Sequence, residues 1–302
     1  MSVCWINGRI VGKEKATVSV FDHGLLYGDG VFEGIRFYNS SPFRLVSHID
    51  RLNRSAKAIG LKIRYSPEEL KQAVYDVINK FKKPDGYLRV VITRGEGPLG
   101  INPDLCKKST VFIIADQTGF IAPHIKNNGA KLIIASTRRL PPDGLDSRVK
   151  SLNYLNHILA RIEANHAIAD EAILLNAQGH VTEGTTDNIF IVKDNEILTP
   201  PVTDGALQGI TRDIIFELVK GFDVELNIKC NEKTLSPYDL YTADECFLTG
   251  TAVELIPVSM IDGREISSCP GEVFKHLQAA FKDKIQIESV FTSNKLNKSI
   301  VL

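Results

Sequence analysis

The sequence has no excess of charge of either sign. Lysine plus arginine equals aspartate plus glutamate, 36 of each among 302 residues. That balance leaves no basic field to hold nucleic acid or an anionic membrane surface. It has no apolar run long enough to span a bilayer. Its start, Met1-Ser2-Val3-Cys4-Trp5, is not a basic region followed by a long apolar stretch, so no signal peptide is expected. There are five cysteines and no C-x-x-C pair; an odd, scattered set reads as reduced thiols in a cytoplasmic protein. H-x-x-x-H zinc spacing and a G-x-S-x-G elbow are both missing, so neither a metal centre nor a serine nucleophile is expected. One motif misleads. Gly95-Glu96-Gly97-Pro98-Leu99-Gly100 matches G-x-G-x-x-G, but Ile101-Asn102-Pro103 follows it and cannot open the helix that a dinucleotide requires.

What is there is a globular composition, 43% hydrophobic and 24% charged. The period of the apolar residues alternates between strand and helix. Asn7-Gly8, flanked by Cys4-Trp5-Ile6 and Ile10-Val11, predicts a tight hairpin. Strands are expected over Val31–Tyr38 and Phe43–Val46, turning at Asn39-Ser40-Ser41, then a helix capped by Ser47 with Ile49, Leu52, Ala56 and Ile59 on one face. Ser66-Pro67-Glu68-Glu69 is a capping box with proline in the first turn, before a helix facing inward with Leu70, Ala73, Val74, Val77 and Phe81. Strands follow at Tyr87–Thr93 and Thr110–Ala115. Later segments predict a strand at Lys131–Ser136, a helix at Ser151–Ala167, strand pairs through Ala172–Thr182 and Ile189–Leu198, a helix at Thr211–Val219, strands near Cys246–Leu248 and Val253–Ile261, and a last helix at Glu272–Phe281. The division expected is an N-terminal α/β domain, 1–117, a linker, 118–129, a C-terminal α/β domain, 130–285, and a polar tail, 286–302.

Three places carry chemistry. Lys150, in Arg148-Val149-Lys150-Ser151-Leu152-Asn153-Tyr154, is expected at the mouth of a helix whose apolar side is Leu152, Leu155, Ile158, Leu159 and Ile162. The positive helix end opposes protonation of an amine there, and a depressed amine is what Schiff-base chemistry needs. Tyr154, four residues on, would share a face with it. The plain alternative is a solvated lysine before a helix. The second place is Thr182-Glu183-Gly184-Thr185-Thr186-Asp187-Asn188-Ile189-Phe190, where an acid precedes a glycine turn and an apolar strand; the alternative is a hairpin with a surface acid. The third is Gly209-Ile210-Thr211-Arg212, a glycine opening a helix with a hydroxyl, which suits a phosphate. Thr249-Gly250-Thr251 at a strand end offers further donors, and Arg51 offers a planar fork. Capped helix, strand turn and surface arginine are the ordinary readings of these. Single histidines such as His157 and His166 read as helix-surface residues.

Together these pieces resemble the class IV aminotransferases, the fold-type IV enzymes of pyridoxal 5'-phosphate (PLP). The signature runs through Glu183, Asn188-Ile189-Phe190, Ile197-Leu198-Thr199 and Leu207-Gln208-Gly209-Ile210-Thr211-Arg212, and the N-terminal half matches through Tyr27-Gly28-Asp29-Gly30-Val31-Phe32-Glu33-Gly34-Ile35-Arg36. The resemblance implies two α/β domains with the cofactor in the cleft between them, in at least a homodimer. It implies that Lys150 is the Schiff-base lysine and proton carrier, that Glu183 partners the pyridine nitrogen, and that Tyr154 lies near the ring oxygen. Arg51, Ile210, Thr211 and Thr251 resemble the phosphate site, with Asn188, Gly209 and Gly250 beside them. Phe32-Glu33-Gly34-x-Arg36 and Tyr87-Leu88-Arg89 resemble the branched-chain subgroup. On that resemblance Tyr27, Phe32, Gly34, Arg36, Tyr87, Arg89, Thr251 and Ala252 line the substrate pocket, Arg89 meets the distal carboxylate of glutamate, and Tyr27 reaches over from the neighbouring subunit. The sequence departs from the family at Val90, where proline is common, and near Phe120-Ile121, where a linker tyrosine is found. The implied reaction exchanges the amino group of leucine, isoleucine or valine with 2-oxoglutarate. D-amino acid transaminases, (R)-amine transaminases and aminodeoxychorismate lyases would share Lys150 and Glu183, and so would a PLP-binding protein without turnover.

Overall fold

The computed structural model describes residues 2–117, 119, 122–222 and 228–299. The chain divides into two compact units. Unit 1 comprises Met1–Thr118, Val149–Asn153 and Lys284–Leu302; unit 2 comprises Gly119–Arg148 and Tyr154–Asp283. None of the described helices is long and apolar enough to cross a membrane.

Unit 1 is built on strands β1 (Val3–Ile6), β2 (Arg9–Val11), β3 (Gly30–Tyr38), β4 (Ser41–Pro42), β5 (Gly86–Thr93) and β6 (Thr110–Asp116), with helices α1 (His23–Tyr27), α2 (Leu45–Ala58) and α3 (Pro67–Phe81). The strands form one antiparallel sheet in the order β2-β1-β6-β5-β3-β4. The hairpin turns at Asn7 and Gly8, both at positive φ. The capping box of α3 forms as its sequence requires: Ser66 Oγ accepts the Glu69 amide, and the Glu69 carboxylate accepts the Ser66 amide. One sheet face packs on α2 and α3 through Val31, Ile35, Phe37, Leu88, Val90 and Ile92 against Ile49, Leu52, Ala56, Leu70, Val74 and Val77. The expected strand at Phe43–Val46 does not form. Arg44 takes a left-handed conformation (φ 54°) that breaks the extended run, and α2 starts at Leu45, so Ser47 lies inside the helix rather than capping it.

Unit 2 is built on strands β7 (Ala130–Arg138), β8 (Glu171–Leu175), β9 (Val181–Gly184), β10 (Asn188–Lys193), β11 (Glu196–Thr199), β12 (Lys229–Glu232), β13 (Glu245–Gly250), β14 (Glu254–Ile261) and β15 (Arg264–Glu265). Its helices are α4 (Pro123–Asn128), α5 (Leu155–His166), α6 (Ile210–Phe222) and α7 (Pro237–Tyr241), and α8 (Glu272–Ser299) begins there. The mixed sheet runs β12-β11-β10-β13-β14-β7-β8-β9, with β15 on β14. Its main core gathers Ile173, Val181, Ile189, Ile191, Leu198, Leu248 and Val258; a smaller one lies under α5, where Ala160 and Ala164 meet Ala135, Ala172 and Leu174.

Four expectations differ from what is observed. Helix α5 starts at Leu155, not Ser151, because Ser151 is bridged to Val31 of β3 instead. For the same reason Lys150, expected with the C-terminal domain, belongs to unit 1. The last helix runs on to Ser299 rather than stopping at Phe281, so the expected tail is helical up to that point. Part of the expected linker is helical, as α4; Phe120-Ile121 lie outside the described residues.

The core of unit 1 gives a direct test. Leu52 is fully buried between α2 and the sheet. Leu52→Ala should cost about 2–5 kcal/mol, the transfer loss plus a cavity, read as a lower urea midpoint at unchanged m-value.

Candidate active site

In an antiparallel pair, residues opposite one another share a face. Gly34 lies opposite Arg89, and Arg36 opposite Tyr87. Since Val31, Ile35, Leu88 and Val90 fill the helix-covered face, Phe32, Gly34, Arg36, Tyr87 and Arg89 fall on the other. There the Arg89 guanidinium stands 4.5 Å from the centre of the Phe32 ring and 5.7 Å from that of Tyr87. Lys150 Nζ lies 4.8 Å from the same Phe32 ring. One aromatic ring therefore carries an amine and a guanidinium, both attracted by its negative π-face. Gly34 makes room for a neighbour: a Cβ there would lie 1.9 Å from the Tyr87 hydroxyl, which would have to shift. The Arg36 guanidinium lies over Tyr38, at 4.9 Å.

Lys150 is set on this sheet by its main chain, not by a helix. The Phe32 amide donates to the Lys150 carbonyl (3.0 Å), and the Leu152 amide donates to the Gly30 carbonyl (2.9 Å). The Lys150 amide donates to Ser55 Oγ on α2 (3.1 Å). The helix-mouth environment expected for Lys150 and its shared helical face with Tyr154 are thus both replaced by a strand-like strip along β3.

Arg51 is not a surface residue. It is buried and grips Glu33, with Nε 2.6 Å from Oε1 and Nη2 2.8 Å from Oε2. His48 Nδ1 is 2.7 Å from the same Oε2. Burial alone would raise the Glu33 carboxyl, but the charges and hydrogen bonds of Arg51 and His48 reverse it and hold it well below the carboxylate range. Burial lowers His48, reinforced by the charges of Arg51 and Lys150, against the pull of Glu33. Tyr27 lies on α1, packs edge-on to His23 at 4.9 Å, and its hydroxyl accepts the Gly100 amide at 2.9 Å.

Unit 2 holds the second cluster. Glu183, on β9, is buried; its Oε2 accepts the Leu207 amide (2.8 Å), and Arg139 Nη2 lies 3.2 Å from Oε1. His157 Nε2 lies 3.9 Å from Oε1, beyond a direct hydrogen bond, so it is a polar neighbour. Burial raises the Glu183 carboxyl, but His157, Arg139 and the Leu207 amide together overcome it and lower the group below its usual range. The Tyr154 ring stacks on His157 at 4.5 Å and 27°. Asn188 Nδ2 donates to the Leu207 carbonyl (2.9 Å). Leu207 is thus tied at its N–H by Glu183 and at its C=O by Asn188, which fixes the chain entering α6. Gly209 follows; a Cβ there would fall 2.0 Å from Asn188 Oδ1. Ile210 and Thr211 open α6 and are buried. Gly250 ends β13 next to the Asn188–Thr249 pair, with Thr251 and Ala252 half-buried in the turn beyond it.

Two residues of this cluster escaped the sequence. Arg139 sits in a stretch without periodicity, held by its amide on the Leu175 carbonyl and its Nε on the Gly205 carbonyl. His157, expected on a helix surface, is 6% exposed, whereas Leu155, Ile158, Leu159 and Ile162, expected inside, are between 43% and 68% exposed. The buried stripe of α5 is His157, Ala160 and Ala164.

The model of the family "Amino-transferase class IV" matches residues 30–261. The chain belongs to the class IV aminotransferases. A Methanocaldococcus jannaschii protein, provisionally named a branched-chain-amino-acid aminotransferase, is 50% identical over 280 residues, 92% of this chain and 95% of its own length. The branched-chain-amino-acid aminotransferase of Escherichia coli strain K12 is 39% identical over 92% of this chain and 91% of its own. Among solved structures, that of the E. coli branched-chain amino acid aminotransferase superposes with a TM-score of 0.88 at 38% identity, covering 93% of each chain. The T.th. branched-chain amino acid aminotransferase complexed with N-(5'-phosphopyridoxyl)-L-glutamate gives 0.87 at 36%, covering 94% of this chain and 93% of its own. The fold is therefore fold-type IV, and branched-chain aminotransferase activity follows from the relatives. Class IV aminotransferases depend on PLP, and the residues fit it: a buried carboxylate kept ionised for a protonated ring nitrogen, the amide end of a helix for a phosphate, and a lysine amine.

The Glu33 pair makes a pH-dependent prediction. Glu33→Gln leaves Arg51 buried beside a neutral amide and should cost about 3–5 kcal/mol near neutral pH. A carboxyl lowered on folding stabilises fully above its unfolded value and loses this as pH falls through the folded one. The gap between wild type and variant in denaturant unfolding should therefore narrow steadily below about pH 4.

Proposed function

We propose that the chain transfers amino groups from L-leucine, L-isoleucine and L-valine to 2-oxoglutarate, giving branched 2-oxo acids and glutamate. The observation that carries this is the Phe32 ring with Arg89 and Lys150 on it. An apolar wall accepts a branched side chain, and a guanidinium on the same ring accepts a distal carboxylate, each beside the amine that does the chemistry. The T.th. relative supports the pairing, having been solved with an L-glutamate conjugate and with 4-methylvaleric acid, one acidic and one branched apolar.

PLP, when bound, supplies the electron sink that lets the substrate's α-C–H bond break. Lys150 would hold the cofactor through its amine, and that amine would carry the proton from the substrate's α-carbon. Glu183, ionised, would hold the proton on the ring nitrogen, and Tyr154 would hydrogen-bond the ring oxygen. Gly209, Ile210, Thr211, Gly250 and Thr251 would take the phosphate with Arg51, and Asn188 would keep their loop in register. Tyr27, Gly34, Arg36, Tyr87, Thr251 and Ala252 join Phe32 and Arg89 around the substrate. The same reading carries a cytoplasmic homodimer. The apolar side chains of Leu25, Leu99 and Ile101, 65%, 75% and 83% exposed, and the outward face of α5 support burial against a second copy.

Lys150→Ala should abolish both turnover and the visible absorbance that the wild type acquires with PLP. A variant with undiminished turnover would refute the assignment.

Arg89→Leu should slow the glutamate half-reaction far more than the leucine one. Truncating one member of a buried charge pair costs about 2–5 kcal/mol, or roughly thirtyfold to several-thousandfold in kcat/KM. Single-turnover measurements of both half-reactions decide it; equal losses would make Arg89 structural and favour a D-amino acid or amine substrate.

A further inference from the structure

His157 is a polar ring where packing alone asks for none. The inward stripe of α5 is otherwise alanine, and its bulky apolar residues face out. Two alanines, Ala160 and Ala164, follow His157 on that stripe, so the helix lies close to β7 and β8 and the imidazole is the one large group it pushes inward. Burying an imidazole costs solvation that a leucine would not. Part of that cost stands uncompensated, since Nδ1 is buried without a hydrogen-bond partner among the described residues. Yet the ring touches both functional groups of unit 2: its face lies on the Tyr154 ring, and its Nε2 is 3.9 Å from Glu183 Oε1.

We propose that His157 is a further positioning residue for the transamination chemistry, setting the ring plane of Tyr154 and the orientation of the Glu183 carboxylate together. This rests on the reading of Tyr154 and Glu183 given above. The spacing makes the coupling direct. Tyr154 caps α5 and His157 lies three residues on, so the two side chains are neighbours along one helix edge. A stacked partner restricts how the phenol turns, and the position of its hydroxyl follows. On Glu183 the protein addresses both oxygens, Oε2 through the Leu207 amide and Oε1 through Arg139. A carboxylate has about four acceptor positions, so these two bonds leave a position for a ring N–H. His157 limits where that position points, because its Nε2 occupies the space beside Oε1.

The test uses His157→Ala, His157→Phe and His157→Asn in the PLP-loaded enzyme. Each is read by the single-turnover rate constant of the leucine half-reaction, the apparent KM, the absorbance band of bound PLP and the melting temperature of the PLP-free protein. His157→Ala is expected to slow the half-reaction about tenfold to a hundredfold, as small misplacements do, with KM within about twofold, and to move the absorbance band. Phenylalanine keeps the stacked ring without the nitrogen, and asparagine keeps a polar group without the ring; each should recover part of the rate and neither all of it. On a Glu183→Gln background the His157→Ala loss should shrink, because the two act on one group. A lower melting temperature with rate constant and band unchanged would make His157 a space-filler and overturn the proposal, as would full recovery by phenylalanine. Glu183→Gln alone tests the reading underneath: an undiminished rate there removes Glu183 from the chemistry and takes this proposal with it.

Discussion

The hydrogen bond from the Phe32 amide to the Lys150 carbonyl decides where the amine proposed to react stands. Backbone bonds have narrow geometry, and the neighbouring bond from Leu152 to Gly30 makes the strip a short extra strand on β3. A side chain leaving such a strip has its first direction set by the sheet. Phe32 is then both the residue that anchors the lysine's main chain and the ring its amine lies over. Through the β3–β5 register the same ring meets Arg89, so a single strand pairing aligns the amine with the residue proposed to choose the substrate.

Two buried carboxylates in this chain are held ionised by different means, and the difference suits a structural role for one and the proposed chemical role for the other. Glu33 is the more fully engaged: two bonds from Arg51 and one contact from His48, all between 2.6 and 2.8 Å. Nothing further is needed there, and the cluster locks α2 to β3. Glu183 is held more loosely, by one amide at 2.8 Å, an arginine at 3.2 Å and a histidine at 3.9 Å. It keeps its charge and still has acceptor capacity. A buried anion with capacity to spare is what a cationic ring nitrogen requires.

Some signals in the sequence are legible because they are local. The Ser66–Glu69 box and the Asn7-Gly8 turn depend on a few adjacent residues, and both form. The inward faces of α2 and α3 follow from periodicity, and both are buried. Periodicity fails at α5, whose most apolar edge points outward, so the same pattern that marks a core elsewhere marks an exposed face there. The surroundings of Lys150 are hidden for a related reason: Ser151 pairs with Val31, a partner more than a hundred residues away that no local pattern announces. Arg139 is invisible because its position is set by backbone carbonyls of Gly205 and Leu175, contacts that any sequence can supply. The motif residues Glu183, Asn188 and Gly209 are legible through resemblance, and their mutual ties through Leu207 give that spacing a mechanical cause.

The crowding at Gly34 has an evolutionary side. The Tyr87 hydroxyl fills the space that a Cβ at position 34 would enter. A lineage that reshapes this wall meets least resistance by changing position 87 before position 34, since the reverse order requires the Tyr87 side chain to swing aside. The two sites are coupled, and a library that varies them together reaches double variants that fit without the Tyr87 side chain having to swing aside.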